Sequence, residues 1–261
     1  MTATNKLNRL FADKKKTLFM AHMIAGYPTM EDSEKVAEAL AKGGADIIEL
    51  QIPFSDPMAD GPTIAVASED ALKAGATVAK SLELLKKVAG FGKPIAVMNY
   101  TNPVFRYGIP KFVKTIATAG ANALIVPDCP FDTEEGGELL SACQEHDIFF
   151  VPVVSPGVPE ERLKQLAKAS RGFVYCTSRQ GITGATSRFA KDLENFAVVA
   201  KRIFNLPLAV GFGVKSKEDA QSLAKFADIV IAGSVFVNVI KNARPETLEP
   251  LVEKVMRELH I

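Results

Sequence analysis

The sequence predicts an α/β protein in which parallel strands close into a (βα)8 barrel, the TIM barrel. Eight short β-branched or apolar runs alternate with segments that carry apolar residues at three- and four-residue steps. Parallel strands joined by helices form either a closed barrel or an open sheet. The chain has 261 residues, close to the roughly 250 that are typical of one barrel. We therefore expect residues 1–261 to form a single barrel domain.

The strands and helices follow each other in a regular order. Helix starts near Thr133 and Ser216 carry short oxygen-bearing side chains followed by acidic residues, which can cap the first free amides. A short N-terminal helix with Leu7, Leu10 and Phe11 is expected to cover the barrel floor. The strands are expected to begin near Thr17, Ala45, Pro94, Ala121, Ile148, Gly172, Pro207 and Ala227. The helices between them are expected over residues 30–42, 81–88, 110–119, 133–145, 159–168, 191–204 and 216–225.

Composition excludes several classes of function. The 31 Lys and Arg residues nearly balance the 30 Asp and Glu residues, giving a net charge of +1, so a nucleic-acid-coating surface is not implied. Three cysteines without a CxxC pair and three scattered histidines do not support a disulfide framework or a metal site. The chain has no P-loop motif and no GxGxxG after its first strand, which argues against the common nucleotide-binding folds. No apolar run approaches the roughly 20 residues of a membrane span, and we expect a cytoplasmic protein.

The second predicted strand carries the first candidate site residue. Barrel enzymes place their chemistry at the C-terminal ends of the strands. Strand alternation places Ile48, Leu50 and Ile52 against the helices, so that Glu49 and Gln51 point toward the barrel mouth. A carboxyl group in an apolar site is suited to proton transfer near neutral pH. A structural glutamate paired with a nearby lysine or arginine explains the pattern equally well.

The loop after this strand, residues 53–63, is rich in turn formers and carries two carboxylates, Asp56 and Asp60. Loops of this kind at strand ends often carry function, and Asp60 is the second candidate. Aspartate also caps turns and helices, so a structural role stays open for both.

Glycine clusters follow three later strands, at residues 181–184, 211–213 and 233–234. The loops after the last two barrel strands commonly bind phosphate, because backbone amides and a helix N-terminus attract a dianion. We expect a phosphate site here. Tyr175 and Phe212 are candidates for the wall of an apolar pocket, and the stretch after Tyr175 has the composition of a loop that closes over a ligand.

Together these residues resemble one known family, the α subunit of tryptophan synthase. The most specific match is ELQIPFSDPMADGPT at residues 49–63, and the resemblance covers nearly the whole chain. It implies a (βα)8 barrel that cleaves indole-3-glycerol phosphate reversibly to indole and glyceraldehyde 3-phosphate. Supporting matches lie at residues 26–28, 102–103, 126–128, 178–184, 211–213 and 233–234.

The resemblance also implies roles for individual residues. Glu49 matches the general acid/base of the family, and Asp60 matches the group that hydrogen-bonds the indole N–H. The remaining matches belong to the pocket, the closing loop and the phosphate cradle. The pocket and loop matches are Tyr175, Thr183 and Phe212, and the phosphate matches are Gly184, Gly213, Gly233 and Ser234.

A partner is implied by the same resemblance. Pro53, Asp56 and their loop match the region that contacts the β subunit, which receives indole through an internal tunnel in an α2β2 complex. Neither a metal nor an organic cofactor is implied for the α subunit, since the pyridoxal phosphate belongs to the β subunit.

Two positions depart from the family pattern. Gln51 stands where the family usually has glycine, and its side chain is expected to narrow the pocket or contact Asp60. His22 ends the first strand, where an aromatic or aliphatic residue often lines the indole site, and we interpret it as a partly buried packing residue.

Three other interpretations compete with an α subunit. An indole-3-glycerol phosphate synthase would need a lysine as general acid at a strand end, where this chain has Glu49. A stand-alone lyase would keep the same residues but release indole freely. A weakly active regulatory subunit would keep the fold and the ligand site, and Gln51 is its only support in the sequence.

Overall fold

Parallel strands form a single sheet in the computed structural model, which describes residues 5–13, 17–177, 187–211 and 213–261, with only the backbone of 187–190. The nine strands in this described part of the chain run in the order β5-β4-β3-β2-β1-β9-β8-β7-β6, and every neighbouring pair is parallel. They are β1 Leu18–Ile24, β2 Ile47–Gln51, β3 Ile95–Met98, β4 Ala123–Ile125, β5 Phe149–Val151, β6 Val153–Val154, β7 Val174–Thr177, β8 Leu208–Gly211 and β9 Ile229–Ala232.

The two edge strands of the sheet are consecutive in the chain, so the sheet closes into a barrel. Only Pro152 separates β5, which pairs with β4, from β6, which pairs with β7. Proline has no N–H to donate to a strand ladder, although its carbonyl accepts a hydrogen bond from the Tyr175 N–H. The nine strands are thus the eight predicted runs with the fifth one split, and each run begins within two residues of its predicted start.

Helices alternate with these strands and form the outer layer. The seven predicted helices and the N-terminal helix are confirmed, whereas α3, α5, α11 and α12 were not located from the sequence. No helix in the described ranges has the length and apolar character needed to cross a membrane. The helices are α1 Lys6–Ala12, α2 Met30–Gly43, α3 Pro62–Lys73, α4 Val78–Val88, α5 Thr101–Tyr107, α6 Ile109–Ala119, α7 Glu134–Glu145, α8 Glu160–Ala169, α9 Ser187–Phe204, α10 Lys217–Ala224, α11 Ser234–Asn242 and α12 Leu248–Leu259, with short 3-10 helices at Ala89–Phe91 and Pro245–Thr247.

Both predicted capping signals start their helices. The Thr133 side chain accepts a hydrogen bond from the Gly136 N–H at the start of α7. Ser216 and Asp219 form a reciprocal capping box at the start of α10. These bonds satisfy amides that a helix cannot pair internally.

The apolar core has two layers that follow the strand alternation. The larger layer lies between the strands and the helices and includes Ile48 and Leu50. The smaller layer fills the barrel interior and includes Met20, Ile47 and Ile231. Inward-facing side chains of a barrel of this size fill it completely, so a polar group inside it needs a specific reason.

The N-terminal helix α1 covers the barrel floor, as predicted. Leu7 is fully buried in the inner apolar layer, and Leu10 and Phe11 pack against that layer. The ring of Phe11 meets the ring of Phe173 edge to face, with 6.3 Å between centroids. Asn5 fastens the helix, because its side chain accepts from the Leu7 N–H and its Nδ2 donates to the carbonyls of Asn122 and Asp147, both at 2.8 Å.

Replacing Asn5 by alanine should therefore loosen the floor of the barrel. The change removes a helix cap and two long-range hydrogen bonds from a buried site, and we expect a loss of about 1 to 3 kcal/mol in the free energy of unfolding. Urea unfolding followed by circular dichroism measures this loss. The control is Asn8→Ala in the same helix, an exposed position where the change should stay within about 0.5 kcal/mol. Equal effects of the two substitutions would contradict the anchoring role of Asn5.

Candidate active site

Two polar side chains of β2 lie inside the barrel, as the alternation predicts. Glu49 and Gln51 are both 0% exposed. Their neighbours Ile48 and Leu50 point the other way, into the layer under the helices. Glu49 lies near and Gln51 at the C-terminal end of the strand. The sequence therefore places an acidic group and an amide at the mouth of an otherwise apolar barrel.

Asp60 is brought back to β2 by the loop that follows this strand. The Gln51 Nε2 donates a hydrogen bond of 2.6 Å to the Asp60 Oδ2, which confirms the expected contact between these two side chains. The Ala59 N–H donates to the Tyr100 hydroxyl at 3.2 Å and fastens the loop to the segment after β3. Burial raises the pKa of the Asp60 carboxyl above its usual range, although the Gln51 hydrogen bond, His22 and Tyr100 act to lower it.

His22 faces Glu49 across the pair of strands β1 and β2. The two residues are register partners, and the His22 Nδ1 lies 3.4 Å from the Glu49 Oε2. Burial alone would lower the pKa of the imidazole, but the negative charges of Glu49 and Asp60 outweigh burial and leave the pKa of His22 above 6.5. His22 is buried, as we expected, but interpreting it as a packing residue is incomplete because it contacts the central carboxylate.

Two tyrosines complete the polar cluster. Burial and the charges of Glu49 and Asp60 raise the pKa of Tyr175 far above its usual range. Burial and the charge of Asp60 likewise raise the pKa of Tyr100. Both phenols are therefore neutral at physiological pH and available as hydrogen-bond donors.

Glu49 and Gln51 keep buried acceptor atoms that no protein donor satisfies. Both carboxylate oxygens of Glu49 and the Oε1 of Gln51 are buried without a hydrogen-bond partner in the described part of the chain. Buried polar atoms are nearly always paired, and the exceptions concentrate where a ligand binds or a reaction occurs. Both residues lie toward the C-terminal end of β2, the end of a barrel strand at which substrates bind.

The glycines of the expected phosphate site follow two neighbouring strands. Because Gly211 of β8 pairs with Ile231 of β9, Gly213 and Gly233 each lie two residues beyond paired positions, at the same end of the barrel. Gly213 has a left-handed backbone with a φ of 53°, and Gly233 is the N-cap of α11, which begins at Ser234. A helix N-terminus directed at the barrel mouth favours an anion.

Three predicted site residues lie outside the described part of the chain, namely Thr183, Gly184 and Phe212. Of the two residues expected at a partner interface, Asp56 is exposed and Pro53 is buried. The Ser55 hydroxyl donates to the Asp56 carboxylate at 2.5 Å, so the exposed part of this loop has local order of its own.

Tyr100 is a site residue that was not predicted from the sequence. The only available signal was its place just after the buried run of β3, where side chains reach the barrel mouth. The contact of His22 with Glu49 was not predicted from the sequence either, because it depends on the register between β1 and β2.

Known proteins resemble this chain along nearly its whole length. A sequence profile described as "Tryptophan synthase alpha chain" matches residues 9–259. Proteins of that name from Methanosarcina mazei and Desulforapulum autotrophicum are 41% and 40% identical, covering 90% and 88% of this chain and 88% and 90% of their own. A solved structure of Mycobacterium tuberculosis tryptophan synthase superposes with a TM-score of 0.89 at 35% identity, covering 98% of this chain and 97% of that chain.

The hydrogen bond from Gln51 should influence the pKa of Asp60. Replacing Gln51 by leucine removes the hydrogen bond that stabilises the ionised carboxyl, so the pKa of Asp60 should rise further above its usual range. Titration of aspartate labelled with ¹³C at the carboxyl carbon, followed by NMR, measures the change. Gln221→Leu, at an exposed position of α10, is the matched control and should leave this titration unchanged. An Asp60 titration that does not move in Gln51→Leu would show that the bond does not stabilise the charge.

Proposed function

The chain belongs to the tryptophan synthase alpha chain family, and from that membership we propose how its own residues carry out the reaction of the family. The protein is a carbon–carbon lyase that cleaves indole-3-glycerol phosphate to indole and glyceraldehyde 3-phosphate. The proposal rests on one observation: Glu49 is fully buried inside the barrel at the end of β2, and Gln51 of the same strand holds the partly buried Asp60 close enough for the two carboxyl groups to interact.

Glu49 is the general acid/base of this proposal. Cleavage requires that C3 of the indole ring gains a proton, that the side-chain hydroxyl loses one, and that the C–C electron pair returns to the ring as the C=O bond forms. The gain and the loss balance, so one carboxyl group can donate at C3, accept from the hydroxyl and end in its starting state. Glu49 is suited to both steps because it is fully buried and no lysine or arginine of the described chain fixes its charge; the groups beside it are His22, whose Nδ1 lies 3.4 Å from Oε2, and the neutral phenol of Tyr175.

Asp60 is proposed to bind the ring N–H. Protonation at C3 places positive charge on the ring nitrogen, and a nearby carboxylate stabilises that charge. Gln51 holds one oxygen of Asp60 and so orients this carboxylate for the ring. Thr183 belongs to this proposal as a residue that orders Asp60 when its loop closes, following the family resemblance.

The other end of the substrate is proposed to lie at the turns after β8 and β9. Gly213, Gly233 and Ser234 supply amides and a helix N-terminus for the phosphate, together with Gly184 from the preceding loop. Tyr175 and Phe212 wall the space between the phosphate and the ring. The chemistry requires only proton transfer and hydrogen bonding, so we propose that the chain itself uses no metal or organic cofactor.

We propose a tryptophan synthase β subunit as the partner, in an α2β2 complex. Two large apolar side chains are exposed on the segments that Ala59 and Tyr100 tie together at the barrel mouth. Met58 is 77% exposed in the loop after β2, and Phe105 is 62% exposed in α5. Exposed apolar residues beside an active site are typical of a protein interface, and Asp56 adds an exposed charge to the same loop.

The activity itself is tested by indole release from indole-3-glycerol phosphate, with and without a cognate β subunit. The chain contains no Trp, so indole fluorescence has little protein background. Slow cleavage that rises with the β subunit supports an α subunit. Fast release that ignores the β subunit would identify a stand-alone lyase, and binding without cleavage would identify a regulatory subunit.

Glu49→Gln should abolish most turnover while substrate still binds. Positioned proton transfer contributes about 10²- to 10⁴-fold in rate, and kcat should fall by a factor in that range. Equilibrium dialysis with indole-3-glycerol phosphate should show binding within a few-fold of the original protein. Glu145→Gln, at an exposed position of α7, is the control and should retain full activity. Turnover by Glu49→Gln close to that of the unmodified chain would overturn the assignment.

Phe105→Asp should weaken the response to the β subunit. A carboxylate at this exposed position would have to be buried unpaired on association, which costs free energy, so half-maximal stimulation should need a higher β concentration. Basal cleavage by the isolated variant is the second readout and should be unchanged. The matched control is Val198→Asp, a 63% exposed apolar position on α9. Identical β dependence in the two variants would place the interface elsewhere.

A further inference from the structure

His22 and Glu49 form a pair that family membership does not explain. They face each other across β1 and β2 in register, with 3.4 Å between Nδ1 and Oε2. Glu49 is 0% exposed and His22 is 6% exposed. At this distance and degree of burial, a charge on either side chain acts strongly on the other.

In the part of the chain that the structure describes, no lysine or arginine competes with His22 for these carboxylates. Among the ion pairs of the described ranges, neither Glu49 nor Asp60 is reached by a lysine or an arginine. Two carboxyl groups in one buried site raise each other's cost of ionisation. The protonated imidazole of His22, on β1 beside Glu49 of β2, offsets that cost.

The position of the imidazole is restricted from the other side by the turn between β9 and α11. A Cβ atom on Gly233 would lie 3.1 Å from the His22 Cδ2 and 3.2 Å from its Cγ, so a side chain at this position would press on the ring, whereas glycine lets the backbone approach it closely. The adjacent ring nitrogen, Nε2, is buried and has no hydrogen-bond partner among the described residues. The ring thus has one nitrogen toward Glu49, and the other makes no hydrogen bond within the described chain.

The charged side chains that act on His22 in the described part of the chain are both negative. Glu49 of β2 and Asp60 of the following loop both act on the imidazole, and Tyr175 of β7 acts on the same two carboxylates as a neutral phenol. The turn on the opposite side contributes Gly233, which carries no charge. Among the described residues, both charges that act on the ring therefore favour its protonated form.

We propose that His22 is a positioning residue whose protonated ring holds and stabilises the carboxylate form of Glu49 between its two proton transfers. This inference rests on the proposed role of Glu49. When Glu49 gives its proton to C3 of the indole ring, the new carboxylate lies beside a cation and stays oriented toward the substrate hydroxyl. Glu49 then accepts the hydroxyl proton, while His22 keeps its own proton throughout, so the pair returns to its initial state.

The pair is tested first by NMR, without any activity measurement. The chain has three histidines, so ¹⁵N-histidine spectra contain few signals, and His146→Asn and His260→Asn assign His22 by elimination. His22 should titrate above 6.5, and Glu49→Gln should lower its pKa because the neighbouring negative charge is gone. A His22 titration that is the same in both proteins would overturn the proposal. This result is valid even if the chain proves inactive, which would reject the proposed function separately.

The second test is the pH dependence of cleavage. In the original chain kcat should fall as the pH rises through the pKa of His22, because the ring loses its charge. In His22→Asn this basic limb should disappear and kcat at neutral pH should drop about tenfold or more, a part of the contribution of positioned proton transfer, with little change in KM. His146→Asn is the control and should keep the original profile. A lower kcat with an unchanged pH profile in both His22→Asn and His22→Gln would indicate a packing role and overturn the proposal.

Discussion

The burial of Glu49 inside the barrel is the constraint on which the rest of the site depends. Strand alternation fixes the direction of the Glu49 side chain. Turning it outward would place Ile48 and Leu50 inside the mouth and remove their contacts with the helices. A buried carboxylate costs several kcal/mol unless neighbouring groups compensate. The polar residues of the mouth, which come from different strands, supply that compensation.

The two carboxylates are supported in different ways, which agrees with the different roles proposed for them. Asp60 is held by a short hydrogen bond from a neutral amide, that of Gln51. Glu49 instead has a histidine at ion-pair distance and no hydrogen bond to either oxygen within the described chain. A group that must gain and lose a proton benefits from unoccupied oxygens, whereas a group that only stabilises charge benefits from being fixed.

Side-chain directions that follow from the alternation of a single strand were predictable from the sequence. Contacts that arise between two strands were not. The period of β2 was enough to place Glu49 and Gln51 at the mouth; the composition of the next loop made Asp60 a candidate, and family resemblance implied its role. The contact of His22 with Glu49 arises from the register of β1 against β2, which alternation within either strand does not encode. The same reason applies to Tyr100, which meets the loop after β2 from the end of β3. Helix α3 was missed because its start is hidden in a turn-rich stretch and alanines dilute its period.

The proposed phosphate site uses backbone dipoles, in contrast to the charged side chains at the other end of the proposed site. Backbone amides at Gly213 and Gly233 attract an anion with fixed dipoles. A lysine or arginine there would bind phosphate too, but its long flexible side chain could also reach Glu49 or Asp60 and neutralise them. Glycine at position 233 has no side chain that could neutralise these carboxylates. Its backbone also lies close against the His22 ring. In the proposed site one residue without a side chain would therefore serve both ends of the substrate, and a larger residue there would press on the imidazole that lies beside Glu49.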